Sequence, residues 1–269
     1  MTDFSLIETM RWQPGTGIVR LRLHLARLKR SAGRLGFAGA DKAEARLAEI
    51  LGAALPPSVP SGHLPLKGGD QADATSRQQR TIEATAGPIS PLEGEMPDRA
   101  EGGETAHTVA NRSPSPLRVR LTLSPSGEIA VTIAPFTPLP EGTIWRVAIA
   151  ATRLDSADKL LRHKTTRREV YEAARGEYPI ADADEVLLLN EKGEPCEGTI
   201  TSIFLDDGSG VLKTPPISCG LLAGVLRTEL ICARRARVQR LTLADMKNGK
   251  LYIGNSLRGL IKTELTRED

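Results

Sequence analysis

Leu160-Leu161-Arg162-His163-Lys164-Thr165-Thr166-Arg167-Arg168-Glu169-Val170-Tyr171, read together with Cys196-Glu197-Gly198-Thr199-Ile200-Thr201-Ser202, decides how this chain is read. The first stretch sets Lys164 at the mouth of a helix predicted over 166–175. The second places one carboxylate, Glu197, at a tight turn entering an apolar strand, where it is buried and needs a partner. Each residue also has an ordinary reading. Lys164 belongs to a basic run with Arg162, His163, Arg167 and Arg168, and Glu197 follows Gly193-Glu194-Pro195, where Glu191 and Glu194 read as surface groups.

Working outward, the run 143–152 is an apolar strand leading toward the lysine. Further strands are predicted at 185–190, 199–206 and 251–253, with a helix at 225–234. Upstream, the runs 117–123 and 128–134 alternate around Ser124-Pro125-Ser126-Gly127, which is a hairpin signature. At the start of the chain, Phe4 to Trp12 reads as a strand closed by Pro14-Gly15-Thr16-Gly17. The period then changes: Leu21, Leu25, Leu28, Ala32 and Leu35 recur at three- and four-residue steps, an amphipathic helix ending near Gly33 or Gly36. Asp41 followed by Glu44 resembles a capping box, opening a second helix that stops at Pro56-Pro57.

The segment 56–116 differs from the rest. It has no Phe, Trp or Tyr and holds half of the chain's 18 prolines. Such a composition buries too little apolar surface to offset its ordering entropy, so it is expected to be a disordered, low-complexity surface insertion. Leu64-Pro65-Leu66-Lys67-Gly68-Gly69-Asp70 and Ser90-Pro91-Leu92-Glu93-Gly94-Glu95-Met96 look faintly related, which favours a bystander of repetitive origin over a lid. Its removal is then expected to leave turnover intact. Hairpins first and strand–helix alternation later give an α+β chain of two subdomains. The small one is expected over 1–55 and 117–150, the large one over 151–269, with the change-over between 135 and 153.

Composition narrows the function classes. The chain has 269 residues, 40% hydrophobic and 26% charged, and a net charge of +3 from 36 basic and 33 acidic residues. That balance gives no argument for nucleic acid. Cys196, Cys219 and Cys232 have no metal-type spacing and cannot all pair, so no metal site is indicated and a reduced, cytoplasmic setting is expected. The N-terminus does not read as a signal peptide, and no apolar run is long enough to span a membrane.

One more pattern carries chemistry. Gly220-Leu221-Leu222-Ala223-Gly224-Val225-Leu226-Arg227 is a small-residue turn running into a helix, whose free backbone N–H groups suit an anion. With it, an amine, a carboxylate and an anion site are all present, as a pyridoxal 5'-phosphate enzyme requires. In these segments the chain resembles the class IV (branched-chain type) aminotransferases, and most closely their aminodeoxychorismate lyase-like members. The resemblance runs from Phe4 to about Leu35 and from about Leu117 to Leu260.

The resemblance implies a fold-type IV, D-amino acid/branched-chain aminotransferase-like architecture. It implies that Lys164 bonds the cofactor aldehyde and that Glu197 faces the pyridine nitrogen. The phosphate falls to Arg27, to the backbone of Val225 and Leu226, and to Ser256 within Gly254-Asn255-Ser256-Leu257-Arg258-Gly259. Arg11, Thr9 and Arg258 are candidates for a substrate carboxylate. His24 reads as structural. Tyr171 is the nearest candidate for the family's tyrosine on the cofactor's phenolic oxygen, but it lies farther from the lysine than in the branched-chain enzymes. The activity implied is that of a 4-amino-4-deoxychorismate lyase, releasing pyruvate and leaving 4-aminobenzoate for folate, with a branched-chain or D-amino acid aminotransferase as the alternative. A homodimer acting on a small amino substrate is expected. A reading from another class is a catalytically silent basic module, whose Arg-rich helix at 20–34 meets an acidic partner.

Overall fold

In the computed structural model the described residues are 4–54 and 115–266. The expected insertion therefore lies outside them, apart from Ser115 and Pro116, as does the proposed helix stop at Pro56-Pro57. The order is β1 (Leu6–Gln13), β2 (Gly17–Ile18), α1 (Leu21–Leu35), α2 (Ala43–Ala54), β3 (Leu117–Leu123), β4 (Ile129–Pro135), β5 (Ile144–Leu154), α3 (Glu169–Gly176) and β6 (Glu185–Asn190). Then come β7 (Pro195–Gly198), β8 (Ser202–Asp206), β9 (Leu212–Thr214), α4 (Val225–Cys232), β10 (Ala236–Val238), α5 (Leu243–Asn248), β11 (Lys250–Asn255) and β12 (Gly259–Leu265).

The first sheet has four strands in the order β2-β1-β3-β4, all antiparallel. Alternation puts Leu6 and Met10 of β1 and Val119, Leu121 and Leu123 of β3 into one core with Leu25, Leu28 and Ala32 of α1. Helix α1 ends where expected, at Gly36, whose φ of 75° supplies the left-handed cap. Asp41 does not cap α2. It lies inside a 3-10 turn, Ala40–Lys42, so the chain is already helical before α2 begins.

The second sheet has eight strands, β10-β9-β8-β11-β12-β5-β6-β7, and an extra β7–β8 pairing closes the run from β8 to β7 on itself. Strand β6 is buried along its whole length, as a strand covered on both faces must be. Strand β5 runs parallel to β12 and β6, and its register with β6 shifts between Ile149 and Arg153. There the Glu177 carboxylate accepts from Ala151 N at 2.5 Å and Thr152 N at 2.8 Å, satisfying amides that the shift takes out of the ladder. Because β5 pairs only within this sheet, residues 144–150 belong with the larger sheet and not with the smaller one.

The two sheets meet at one edge. Strand β2 covers β1 only at Trp12 and Gln13, which leaves the first half of β1 with an open edge. The segment after β5 fills it: Ile7 N donates to Lys164 O at 2.9 Å and Thr166 N donates to Ser5 O at 2.9 Å. No helix among the described residues is long and apolar enough to cross a membrane.

Candidate active site

The edge pairing fixes the backbone of Lys164, and its neighbours fix which way the side chain goes. Leu161 is buried in the core beside β5, Thr165 is buried, and His163 Nδ1 lies 2.9 Å from Ser31 Oγ of α1. With those three anchored, Lys164 lines a cavity of about 460 Å³ between the sheets. Arg162 is exposed and does not line it, whereas His163, Arg167 and Arg168 do. Three members of the basic run therefore share the cavity with Lys164.

Glu197, at the end of β7, lines the same cavity and is 5% exposed. Its Oε1 accepts from Tyr171 Oη at 2.8 Å, and both its oxygens lie 3.2 Å from Leu222 N. Burial is the largest influence and pushes its carboxyl up to about 7, against the pull of Tyr171, Leu222 and the charges of Lys164 and Arg168. Burial first, then the charge and hydrogen bond of Glu197, push the Tyr171 phenol well above its ordinary range. Tyr171 therefore serves Glu197 here. Arg168 donates to Thr199 O at 2.8 Å and lies 5.1 Å from the Tyr171 ring centroid, bracing both residues.

A second buried carboxylate shapes the turn after Glu197. Glu185, at the start of β6, accepts from Thr199 N, Thr199 Oγ1, Ile200 N and Thr201 Oγ1 at 2.5 to 3.2 Å. A side chain at Gly198 would collide with Thr201 Oγ1 and crowd Glu185, so the Glu-Gly sequence is a steric requirement of that turn.

Helix α4 opens directly on the cavity through Val225 and Leu226. Its first-turn N–H groups need partners from outside the helix. A Cβ at Gly224 would stand 2.5 Å from Ser202 Oγ, so a side chain there would displace that hydroxyl. Arg27 and Ser256, from different parts of the chain, line the same cavity. They are joined through Glu8, which no reading of the site had included. Arg27 donates to Glu8 through Nε at 2.8 Å and Nη2 at 2.6 Å, His24 Nδ1 lies 2.6 Å from Glu8 Oε2, and His24 Nε2 lies 2.8 Å from Ser256 Oγ. Burial alone raises the Glu8 carboxyl, but the Arg27 charge and the hydrogen bonds from His24 and Arg27 outweigh it and hold it at about 2. The available signal was a carboxylate in phase with Leu6 and Met10 on the apolar face of β1.

Thr9 and Arg258 line the cavity; Arg11 does not. Two residues beyond Thr9, about 7 Å along the strand, Arg11 has passed the cavity edge, and its buried Nε has no hydrogen-bond partner among the described residues. The cavity as built brings together a lysine, a carboxylate, an arginine, a hydroxyl and a helix start. That donor set matches a flat heteroaromatic with a basic ring nitrogen, an electrophilic carbon and a phosphate. Of the basic residues at 20–34, Arg27 is turned inward to Glu8 and Arg20 pairs with Glu229 at 2.7 Å, whereas Arg22, Lys29, Arg30 and Arg34 are exposed.

The model of the family described as Amino-transferase class IV matches residues 5–263. The chain belongs to this family. The class IV assignment rests on nearly the whole chain and carries with it an enzyme, in a family dependent on pyridoxal phosphate. A solved structure from Mesorhizobium loti, provisionally named an amino-acid aminotransferase, is 39% identical over 98% of this chain and 100% of that one, with a TM-score of 0.74. A provisionally named branched-chain-amino-acid aminotransferase of Thermotoga maritima is 32% identical over 117 residues, which is 43% of this chain and 42% of that protein. The match to this curated relative thus spans less than half its length. The 4-amino-4-deoxychorismate lyase structure from Pseudomonas aeruginosa, 18% identical over 98% of this chain and 83% of that one with a TM-score of 0.65, shares the fold. The class IV fold is therefore shared by lyases and aminotransferases alike, and the expected α+β, fold-type IV architecture is found.

Proposed function

We propose that this class IV chain binds pyridoxal 5'-phosphate and acts as a 4-amino-4-deoxychorismate lyase. The observation that carries the cofactor assignment is the sharing of one cavity by Lys164, Glu197, Arg27, Ser256 and the start of α4. The cofactor, when bound, supplies a conjugated ring that takes up the electron pair left at the substrate's Cα. Lys164 Nζ would hold the cofactor's reactive carbon until the substrate amine replaces it and would then take the proton from Cα. The electron pair left there breaks the bond to the enolpyruvyl oxygen, the enol released takes up a proton to become pyruvate, and the substrate's ring is left aromatic with no proton at that carbon. Glu197 holds a proton at the ring nitrogen, a task suited to a carboxyl poised at about 7. Arg27, Ser256 and the Val225 and Leu226 amides bind the phosphate.

Arg167, Arg168 and Arg258 line the same cavity, together with Thr9. That basic rim suits a substrate bearing more than one carboxylate, and 4-amino-4-deoxychorismate bears two. It supports the lyase over a transaminase for apolar amino acids. The Mesorhizobium loti relative favours the second reading, an aminotransferase, in which the proton goes to the cofactor side and a 2-oxo acid leaves. The proposal includes a homodimer, common in the family, and a cytoplasmic setting, with which the free thiols of Cys196, Cys219 and Cys232 agree. Incubation with 4-amino-4-deoxychorismate should yield 4-aminobenzoate and pyruvate. Glutamate formed from leucine and 2-oxoglutarate, without 4-aminobenzoate from the first substrate, would replace the lyase by the aminotransferase.

A further inference from the structure

The buried run from Glu8 through His24 to Ser256 holds a proton whose position the proposed reaction does not use. Glu8 is ionised, with Arg27 on both of its oxygens, so it only accepts. At 2.6 Å from Glu8 Oε2, His24 Nδ1 must therefore carry a hydrogen. The other ring nitrogen, 2.8 Å from Ser256 Oγ, then has two possible roles. In a neutral ring Nε2 accepts, and the single hydroxyl proton of Ser256 is spent on it. In a charged ring Nε2 donates to Oγ, and the hydroxyl proton is released toward the cavity. One hydroxyl proton cannot serve both His24 and an anion.

We propose that His24 takes up a proton from solvent when a phosphate dianion docks beside Ser256, turning that hydroxyl from a donor to His24 into a donor to the anion. This rests on the reading of the cavity as a pyridoxal phosphate site and deepens it. The charged groups facing His24 are Glu8 from β1, Arg20 just before α1 and Arg27 from α1, with Arg20 paired in turn to Glu229 of α4. Burial, the largest influence, lowers His24 from its ordinary 6.5; Glu8 opposes this, and the two arginines add to it. The ring is therefore neutral at neutral pH. A dianion at Ser256 adds negative charge on the side of the ring opposite Glu8, and the imidazolium becomes the favoured form. No bond breaks beyond the exchange of this one proton. His24 is a positioning residue in this account, acting through Ser256.

The test follows the ring nitrogens of His24 by 15N NMR in the full chain as pyridoxine 5'-phosphate is added at neutral pH. This probe has the ring and phosphate but no aldehyde for Lys164 to attack. His24→Gln identifies the signal; should that variant not fold, Ser256→Ala identifies it by displacing the Nε2 resonance. On saturation Nε2 is expected to move from an acceptor to a protonated position. Calorimetry in two buffers of different ionisation heat should record about one proton more taken up by the wild type than by His24→Gln. Binding with an unmoved Nε2 overturns the proton uptake and leaves the cofactor reading standing. Absence of binding, with no coloured complex on adding pyridoxal 5'-phosphate, overturns both.

Discussion

Tyr171 Oη donates a 2.8 Å hydrogen bond to Glu197 Oε1, and both side chains line the cavity that Lys164 enters. The phenol favours the ionised form of a carboxylate that burial drives toward the neutral one. Tyr171→Phe removes that support and moves the titration of Glu197 further upward. A hydrogen bond of this kind is worth about 1 kcal/mol. Cofactor affinity in the variant is accordingly expected to fall about fivefold, read from the absorbance of pyridoxal phosphate titrated into the protein. An unchanged affinity would place Tyr171 outside the support of Glu197.

Glu197 also predicts how the cofactor-free protein responds to pH. Its carboxyl rises from an ordinary 4.5 to about 7 on folding, so the folded state holds a proton that the unfolded state has given up. A shift in that direction contributes stability that is complete below 4.5 and lost as pH climbs through about 7. At about 1.4 kcal/mol per unit, the loss approaches roughly 3 kcal/mol. Urea unfolding at about pH 5 and about pH 8 measures it. Glu197→Gln should flatten this dependence, and an equal slope in both proteins would contradict the assignment.

Strand β7, which carries Glu197, and its neighbour β6 differ in how legible they were in the sequence. Strand β6 was legible because Glu185–Asn190 is a short apolar run, which suits a strand covered on both faces. Strand β7 was not, because Pro195–Gly198 has the composition of a turn and is extended only by pairing with β6 and β8. Glu8 and Glu185 stayed hidden for a related reason. Their partners are Arg27 and His24 in one case and Thr199, Ile200 and Thr201 in the other, and no local periodicity joins residues so far apart. Lys164 stood out among its basic neighbours only through the family resemblance. What fixes its direction is the open edge of β1, a tertiary fact.

Lys164→Ala should leave the fold intact, because Ile7 N holds the backbone at 164 through its carbonyl. Removing a group that transfers a proton in the transition state typically costs about 10²- to 10⁴-fold in rate. The variant should bind pyridoxal phosphate non-covalently, so borohydride would fix no label to it. Turnover at the wild-type rate would end the proposed role.

Arg258 lines the cavity with its guanidinium carbon 5.8 Å from the Trp145 ring centroid, an arrangement that steadies the fork. Lysine cannot reproduce a planar two-point contact to a carboxylate. Arg258→Lys is expected to raise KM for a dicarboxylate substrate about tenfold with kcat nearly unchanged. A fall in kcat at constant KM would move Arg258 from substrate binding to the chemistry.

Glu8 is where stability and phosphate binding meet. Its carboxyl is held at about 2 against an ordinary 4.5, so its contribution is complete above 4.5 and disappears as pH falls through about 2. Glu8→Gln keeps the shape but leaves the Arg27 guanidinium, 6% exposed, without its counter-charge. Breaking a buried ion pair from one side costs about 3–5 kcal/mol, which urea unfolding at neutral pH would show. Arg27→Met removes the other partner and strands the carboxylate instead, and the double variant Glu8→Gln, Arg27→Met should recover part of the loss. Pyridoxal phosphate affinity separates the two effects: it is expected to stay low in the double variant, because stability returns without the guanidinium proposed to hold the phosphate. Recovery of affinity along with stability would make Arg27 a structural residue only.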